Sequence, residues 1–122
     1  MDPHNTYLHV TADGRARPIE VDSRFWSHTV QELGAGRLLT AFRCDRDWDH
    51  WEMHPAGDEV VIVLSGSCDF VLDHPELGER RTLLSAGRML VVPGGIWHRL
   101  EVIAPVELLL LTAGEGTQHR PV

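Results

Sequence analysis

The sequence predicts an all-β fold, an antiparallel sandwich or barrel, and three observations carry that reading. The apolar segments are short and rich in Val, Leu and Ile, glycine or proline punctuates the gaps between them, and those gaps are too brief for crossover helices. Strands are predicted at 37–44, 48–54, 59–64, 68–73, 80–84, 89–92, 98–103 and 106–112. The links "LSGSC", "DHPELGE", "LSAGR", "VPGGIW" and "IAPV" supply the positive-φ glycines or fixed-φ prolines that tight connections need. Gly57, Gly66, Gly87, Gly94 and Gly95 are all read here as turn formers.

One short helical turn is predicted near residues 27–33. Residues 1–22 mix polar residues with Gly14 and Pro18 and read as an arm or edge strand, while 113–122 read as a polar tail. A chain of 122 residues suits one domain with one hydrophobic core. With 43% hydrophobic and 24% charged residues, it has the apolar content to fold rather than remain disordered.

All 11 basic residues are arginine, which excludes Schiff-base, P-loop and lysine general-base chemistry. Eighteen acidic side chains set the formal charge at -7, which disfavours nucleic acid and anionic lipid as partners. No basic-then-apolar leader opens the chain and no apolar run approaches a membrane span, so a cytoplasmic location is expected. Cys44 and Cys68 form no CxxC pair and are expected as buried thiols. No nucleophile elbow occurs, and "GAGRLL" and "GEGTQH" lack the strand-to-helix setting of a phosphate loop.

The chemistry gathers in "DHWEMHPAGDE", residues 49–59, where two histidines, four carboxylates and a tryptophan share eleven positions. Side chains alternate along a strand, so Trp48, His50, Glu52 and His54 share one face while Trp51 lies on the other. "PAGD" is short enough for a hairpin, which would turn Glu59 back toward the same space. His98 opens a later strand after the turn in "GRMLVVPGGIWH". Imidazole and carboxylate together suit a divalent transition metal, and two glutamates would neutralise its charge. The other reading of these residues is a polar, water-filled pocket without metal.

These stretches resemble the two motifs of the cupin superfamily. His54, four residues, Glu59, six residues and Gly66 match the latter part of G(x)5HxH(x)3-4E(x)6G. Gly87, Pro93, Gly95 and His98 match G(x)5PxG(x)2H(x)3N through its histidine. The resemblance implies a double-stranded β-helix, or jelly-roll β-barrel, with a metal held inside by Glu52, His54, Glu59 and His98. Two positions depart from the pattern: Glu52 stands where the first histidine is usual, and Val102 replaces the asparagine. Some metal-using members carry such an ExH arrangement. The extra carboxylate shifts the preferred ion from copper toward manganese, iron or zinc, with nickel also admitted.

Two functions are consistent with this reading. One is a metal-dependent enzyme, of the oxygenase, isomerase, lyase or hydrolase class, acting on a small carboxylate- or hydroxyl-bearing molecule with Glu52 or Glu59 as base. The other is a non-catalytic module that binds or senses a small molecule, with or without metal. His50 is expected at the rim or as a partner orienting a ligand, and Trp48 as a substrate contact. Exposed sheet edges and the run "VELLLL" suggest a homodimer, although that run suits a barrel core equally.

Overall fold

The computed structural model describes all 122 residues, in nine strands and one short helical segment. The strands are β1 (Thr6–Val10), β2 (Ala16–Glu20), β3 (Arg37–Cys44), β4 (His50–Met53), β5 (Glu59–His74), β6 (Gly78–Ser85), β7 (Met89–Val92), β8 (Trp97–Thr112) and β9 (Gln118–Pro121). A π-helical turn at Phe25–Thr29 runs into α1 (Val30–Leu33), so the helical piece begins two residues before the predicted start. Phe25 is the reason. It is fully buried against Tyr7 in an edge-to-face pair with centroids 5.0 Å apart, which pins the turn to β1 and Leu38.

All strand pairings are antiparallel, and the sheet folds back on itself to make two facing layers. β5 and β8 are shared between the layers. Their first and last halves, respectively, pair with each other and carry β7 and then β3, β1 and β2 outward. Their other halves pair again and carry β6 on one side, β4 and β9 on the other. Between the layers lies a core that includes Val61, Val63, Phe70, Leu100, Leu108 and Leu110. The two last-named leucines settle "VELLLL" as barrel interior at alternate positions. No helix is long and apolar enough to cross a membrane.

Two predicted turns are instead bends inside long strands. "LSGSC" and "IAPV" lie within β5 and β8, each 16 residues long. Register shifts fall between Val63 and Cys68, and they change the phase of β5: Glu59, Val61 and Val63 point inward before the bend, Cys68, Phe70 and Leu72 after it. An unbroken two-residue alternation would have turned one of those sets to solvent. Gly66 therefore does more than form a turn. Its φ is +77°, and a Cβ there would stand 1.9 Å from the Pro105 carbonyl oxygen on β8.

"PAGD" is also not a hairpin, since β4 and β5 do not pair. It crosses from one layer to the other, which is how Glu52 and Glu59 come to face each other from opposite walls. The crossing is tied to the Pro93–Gly95 turn: the Gly94 amide donates to Asp58 Oδ1 at 2.8 Å and the Gly95 amide to the His54 carbonyl at 2.9 Å. These bonds join the two halves of the motif through backbone rather than through the ligands themselves.

Gly66→Ala should cost about 2–4 kcal/mol, combining the left-handed backbone penalty with overpacking against Pro105. Gly14→Ala, also at positive φ (+84°) but with open space around it, should cost only about 1–2 kcal/mol. Urea denaturation of both variants checks the difference. Equal losses would remove the close approach as the cause.

Candidate metal centre

Four side chains converge between the layers. Glu59 begins β5, His54 follows β4, His98 is the second residue of β8, and Glu52 is the cross-strand partner of His98. His98, Glu59 and His54 are 0%, 2% and 5% exposed, whereas Glu52 is only half-buried and looks into the cavity. His54 Nε2 lies 3.1 Å from Glu59 Oε2, His98 Nε2 lies 3.3 Å from Glu59 Oε1 and 4.0 Å from Glu52 Oε2. One ligand atom from each of Glu52, His54 and His98 lies within 4.8 Å of the others.

The outer hydrogen bonds fix which ring nitrogens carry protons. Thr117 Oγ1 donates to the Gly114 carbonyl at 2.8 Å, so it accepts from His54 Nδ1 at 2.8 Å. His98 Nδ1 donates to the Ile96 carbonyl at 3.0 Å. With each Nδ1 protonated, both neutral rings aim the Nε2 lone pair inward. Those two nitrogens and Glu59 Oε1 are buried and make no well-aligned hydrogen bond despite their proximity. Lone pairs facing a carboxylate repel unless a proton or a cation stands between them. Ligand atoms about 2.1 Å from one ion stand roughly 3.0–3.5 Å apart, which is the spacing around Glu59. Glu52, His54 and His98 thus fit a divalent cation on their own geometry, with a Glu59 oxygen within 3.3 Å of each imidazole.

Electrostatics point the same way. Burial alone would raise the Glu59 carboxyl, but the imidazoles of His54 and His98 overturn that and bring it down to about 2. Burial likewise disfavours a charged His98, yet Glu59, aided by the Ile96 carbonyl and Glu52, raises its pKa above the ordinary value. Thr112 Oγ1 donates to Glu59 Oε2 at 2.7 Å and satisfies one oxygen of the anion. Without metal, then, the Glu59 carboxylate favours a proton on His98 more than water does.

The centre opens into a cavity of about 690 Å³. Trp48 and His50 both line it, as strand alternation requires, and their rings stack at 5.4 Å with an interplanar angle of 4°. Trp51 is buried on the opposite face under the guanidinium groups of Arg99 and Arg120, and Trp97 also meets Arg120. Arg43 and Arg99 stay outside the cavity, near Glu107 and Glu101 respectively. Both cysteines are free, Cys68 buried and Cys44 half-buried.

Sequence reasoning missed the contribution of 113–122. The segment read as a polar tail contains β9, which pairs with β4 and brings His119 Nε2 to 3.0 Å from Glu52 Oε1. Thr117, just before it, orients His54. Thr112 was also passed over, as an ordinary strand residue. No apolar pattern marks "TQHRP", and the sole hint was a histidine two residues from a threonine in a polar stretch.

In comparison with known proteins, residues 46–113 match the family model described as "Cupin domain". No curated protein matches the sequence. Solved structures of similar fold include a cupin-2 domain containing protein from Shewanella frigidimarina, at 21% identity and a TM-score of 0.54, covering 63% of this chain and 70% of that one. Hydroquinone 1,2-dioxygenase from Sphingomonas sp. TTNP3, solved with 4-hydroxybenzoate bound, matches at 18% identity and a TM-score of 0.53, over 66% of this chain and 60% of that one. Oxalate decarboxylase from Bacillus subtilis matches at 18% identity and a TM-score of 0.57, over 72% of this chain but only 23% of its own length. At these identities the likeness is one of fold.

The shifts of Glu59 and His98 give the metal-free protein a defined pH window. The lowered carboxyl contributes stability that is full above about 4.5 and is lost as pH falls toward about 2. The raised imidazole contributes stability that is full below 6.5 and is lost as pH rises through its folded-state value. Urea midpoints of chelator-treated protein should therefore peak between pH 4.5 and 6.5 as far as this pair is concerned. Divalent-cation affinity should run oppositely at the high end, rising as His98 loses its proton, and should fall about tenfold per pH unit where His98 holds it. Competition titrations across that range, on wild type, check the slope.

Proposed function

Since the chain belongs to the cupin domain family, we propose that it is a metal-binding cupin acting on a small carboxylate- or hydroxyl-bearing molecule in the barrel cavity. The observation that carries this reading is the convergence of His54 Nε2, His98 Nε2 and Glu59 Oε1, all buried and all without a well-aligned partner. Glu52, His54, Glu59 and His98 would hold the ion, with manganese, iron or zinc favoured by the mixed nitrogen and oxygen donors and nickel also admitted. The bound cation would supply Lewis-acid polarisation of a substrate oxygen, or redox chemistry if it is iron.

The protein's own groups divide the remaining work. Glu59, held as an anion by two imidazoles and Thr112, is too weakly basic to take a proton near neutrality and serves as a ligand. Glu52 faces the cavity with one oxygen toward His98 and the other toward His119, so it is the carboxylate placed to accept a substrate proton. Trp48 offers an apolar wall beside the centre, and its stacking on His50 keeps that wall in place. The non-catalytic alternative, a binding or sensing cupin, draws support from the same enclosed cavity and differs in needing no proton acceptor.

Elemental analysis of protein purified without added metal tests the proposal. Wild type should carry about one tightly held ion per chain, His98→Ala should lose it, and chelation should lower thermal stability. Glu52→Gln should keep at least part of the metal but lose turnover with any substrate found, whereas a binding module would keep its ligand after that change. Wild type without stoichiometric metal, and indifferent to chelators, would sink the reading.

A homodimer is part of the proposal. Met89 and Val91 are 71% and 54% exposed on β7, whose outer edge is unpaired in the monomer. Sedimentation equilibrium should give twice the chain mass, and Met89→Lys should shift it toward monomer.

A further inference from the structure

Glu52 belongs to two ligand sets at once. Besides the interior set it forms a second with His50 and His119 at the mouth of the cavity, where one ligand atom from each lies within 4.8 Å of the others. We propose that this mouth set is a second divalent-cation site, with the Glu52 carboxylate bridging it to the interior centre. The inference rests on the interior reading only for the bridge. The mouth residues stand on their own geometry.

Three observations carry it. His50 is oriented twice over: its ring stacks on Trp48, and its Nδ1 lies 2.9 Å from Asp49 Oδ1, to which it donates. That leaves the Nε2 lone pair aimed at Glu52 Oε1, 3.8 Å away, a distance too long for a hydrogen bond but suited to a shared ion. His119 Nε2 donates to the same oxygen at 3.0 Å from β9, on the other side, and a cation would take that proton's place. The two oxygens of Glu52 are thus split, Oε2 toward His98 within and Oε1 toward the two mouth histidines.

Charge is the third observation. Glu52, Glu59 and Glu115 line the cavity, and no arginine does. One divalent cation would balance Glu52 and Glu59, leaving the cavity with the further charge of Glu115. A second cation there supplies what the missing arginines do not. Its consequence for chemistry is direct, because it would occupy Oε1, the Glu52 oxygen turned toward the mouth. Filling the mouth and using Glu52 as a base exclude each other, so an excess of the metal should suppress what one equivalent supports.

One of the three mouth residues falls outside the part of the chain that matches the family model, past its C-terminal end. The match stops at residue 113, and His119 lies beyond it. The second site is accordingly a property of this chain's own last strand.

The test is equilibrium dialysis of the metal-free full chain against Co(II), with bound cobalt read by elemental analysis and its visible absorption recorded. Wild type should bind two Co(II) per chain in two resolved steps. His119→Ala and His50→Ala, both at exposed or half-exposed positions, should each keep the tight step and lose the second. His98→Ala should lose the tight step and keep the weaker one. If wild type saturates at one ion, and His119→Ala merely weakens that ion about 10–100-fold, the histidine only orients Glu52 and the second site is overturned. If a single ion is lost in His119→Ala but kept in His98→Ala, the mouth set is upheld and the interior reading fails. Absence of binding in wild type overturns both.

Discussion

Everything inside this barrel depends on one interruption of a strand. β5 has to present Glu59, Val61 and Val63 to the interior in its first half and Cys68, Phe70 and Leu72 in its second. Because side chains alternate strictly, the two sets can share an interior only if the chain gains an odd residue between them. Gly66 supplies that break, at a φ closed to most residues and in a space the Pro105 carbonyl would deny to any side chain. The polar centre and the apolar core are consequently one packing problem with one solution.

Burying Glu59 is the expense the fold carries for its centre. A carboxylate with no compensation in such surroundings would cost several kcal/mol and would protonate instead. Here His54, His98 and Thr112 surround it, and each histidine is itself held by a hydrogen bond on its far nitrogen. The arrangement therefore suits either a proton or a cation between the imidazoles and the carboxylate. Glu52, nearer solvent and shared with the mouth, is the adjustable member of an otherwise fixed group.

Much of this was legible in the residues and part was not, for physical reasons. Alternation placed His50 and Glu52 on one face of β4 and Trp51 on the other, with Trp48, just ahead of the strand, on the cavity side as well. The fold class followed from strand length and turn chemistry. The bends in β5 and β8 were mistaken for turns because glycine and proline mark both, and only the partner strand decides whether hydrogen bonding resumes beyond them. β9 escaped notice because it is polar throughout. Its pairing with β4 comes from an available edge, not from an apolar pattern of its own.

The long pairing of β5 with β8 has a kinetic side. It joins residues as far apart as Val60 and Leu111, so a large loop must close before any of these contacts forms. Glu59 rides on one of those strands and His98 on the other, and they cannot meet earlier than the strands do. The set is complete only when His98 joins Glu52, His54 and Glu59, which lie within eight residues of one another. In small zinc domains the ion assembles the fold, whereas a cation taken up here would find its full set only after β5 and β8 had met.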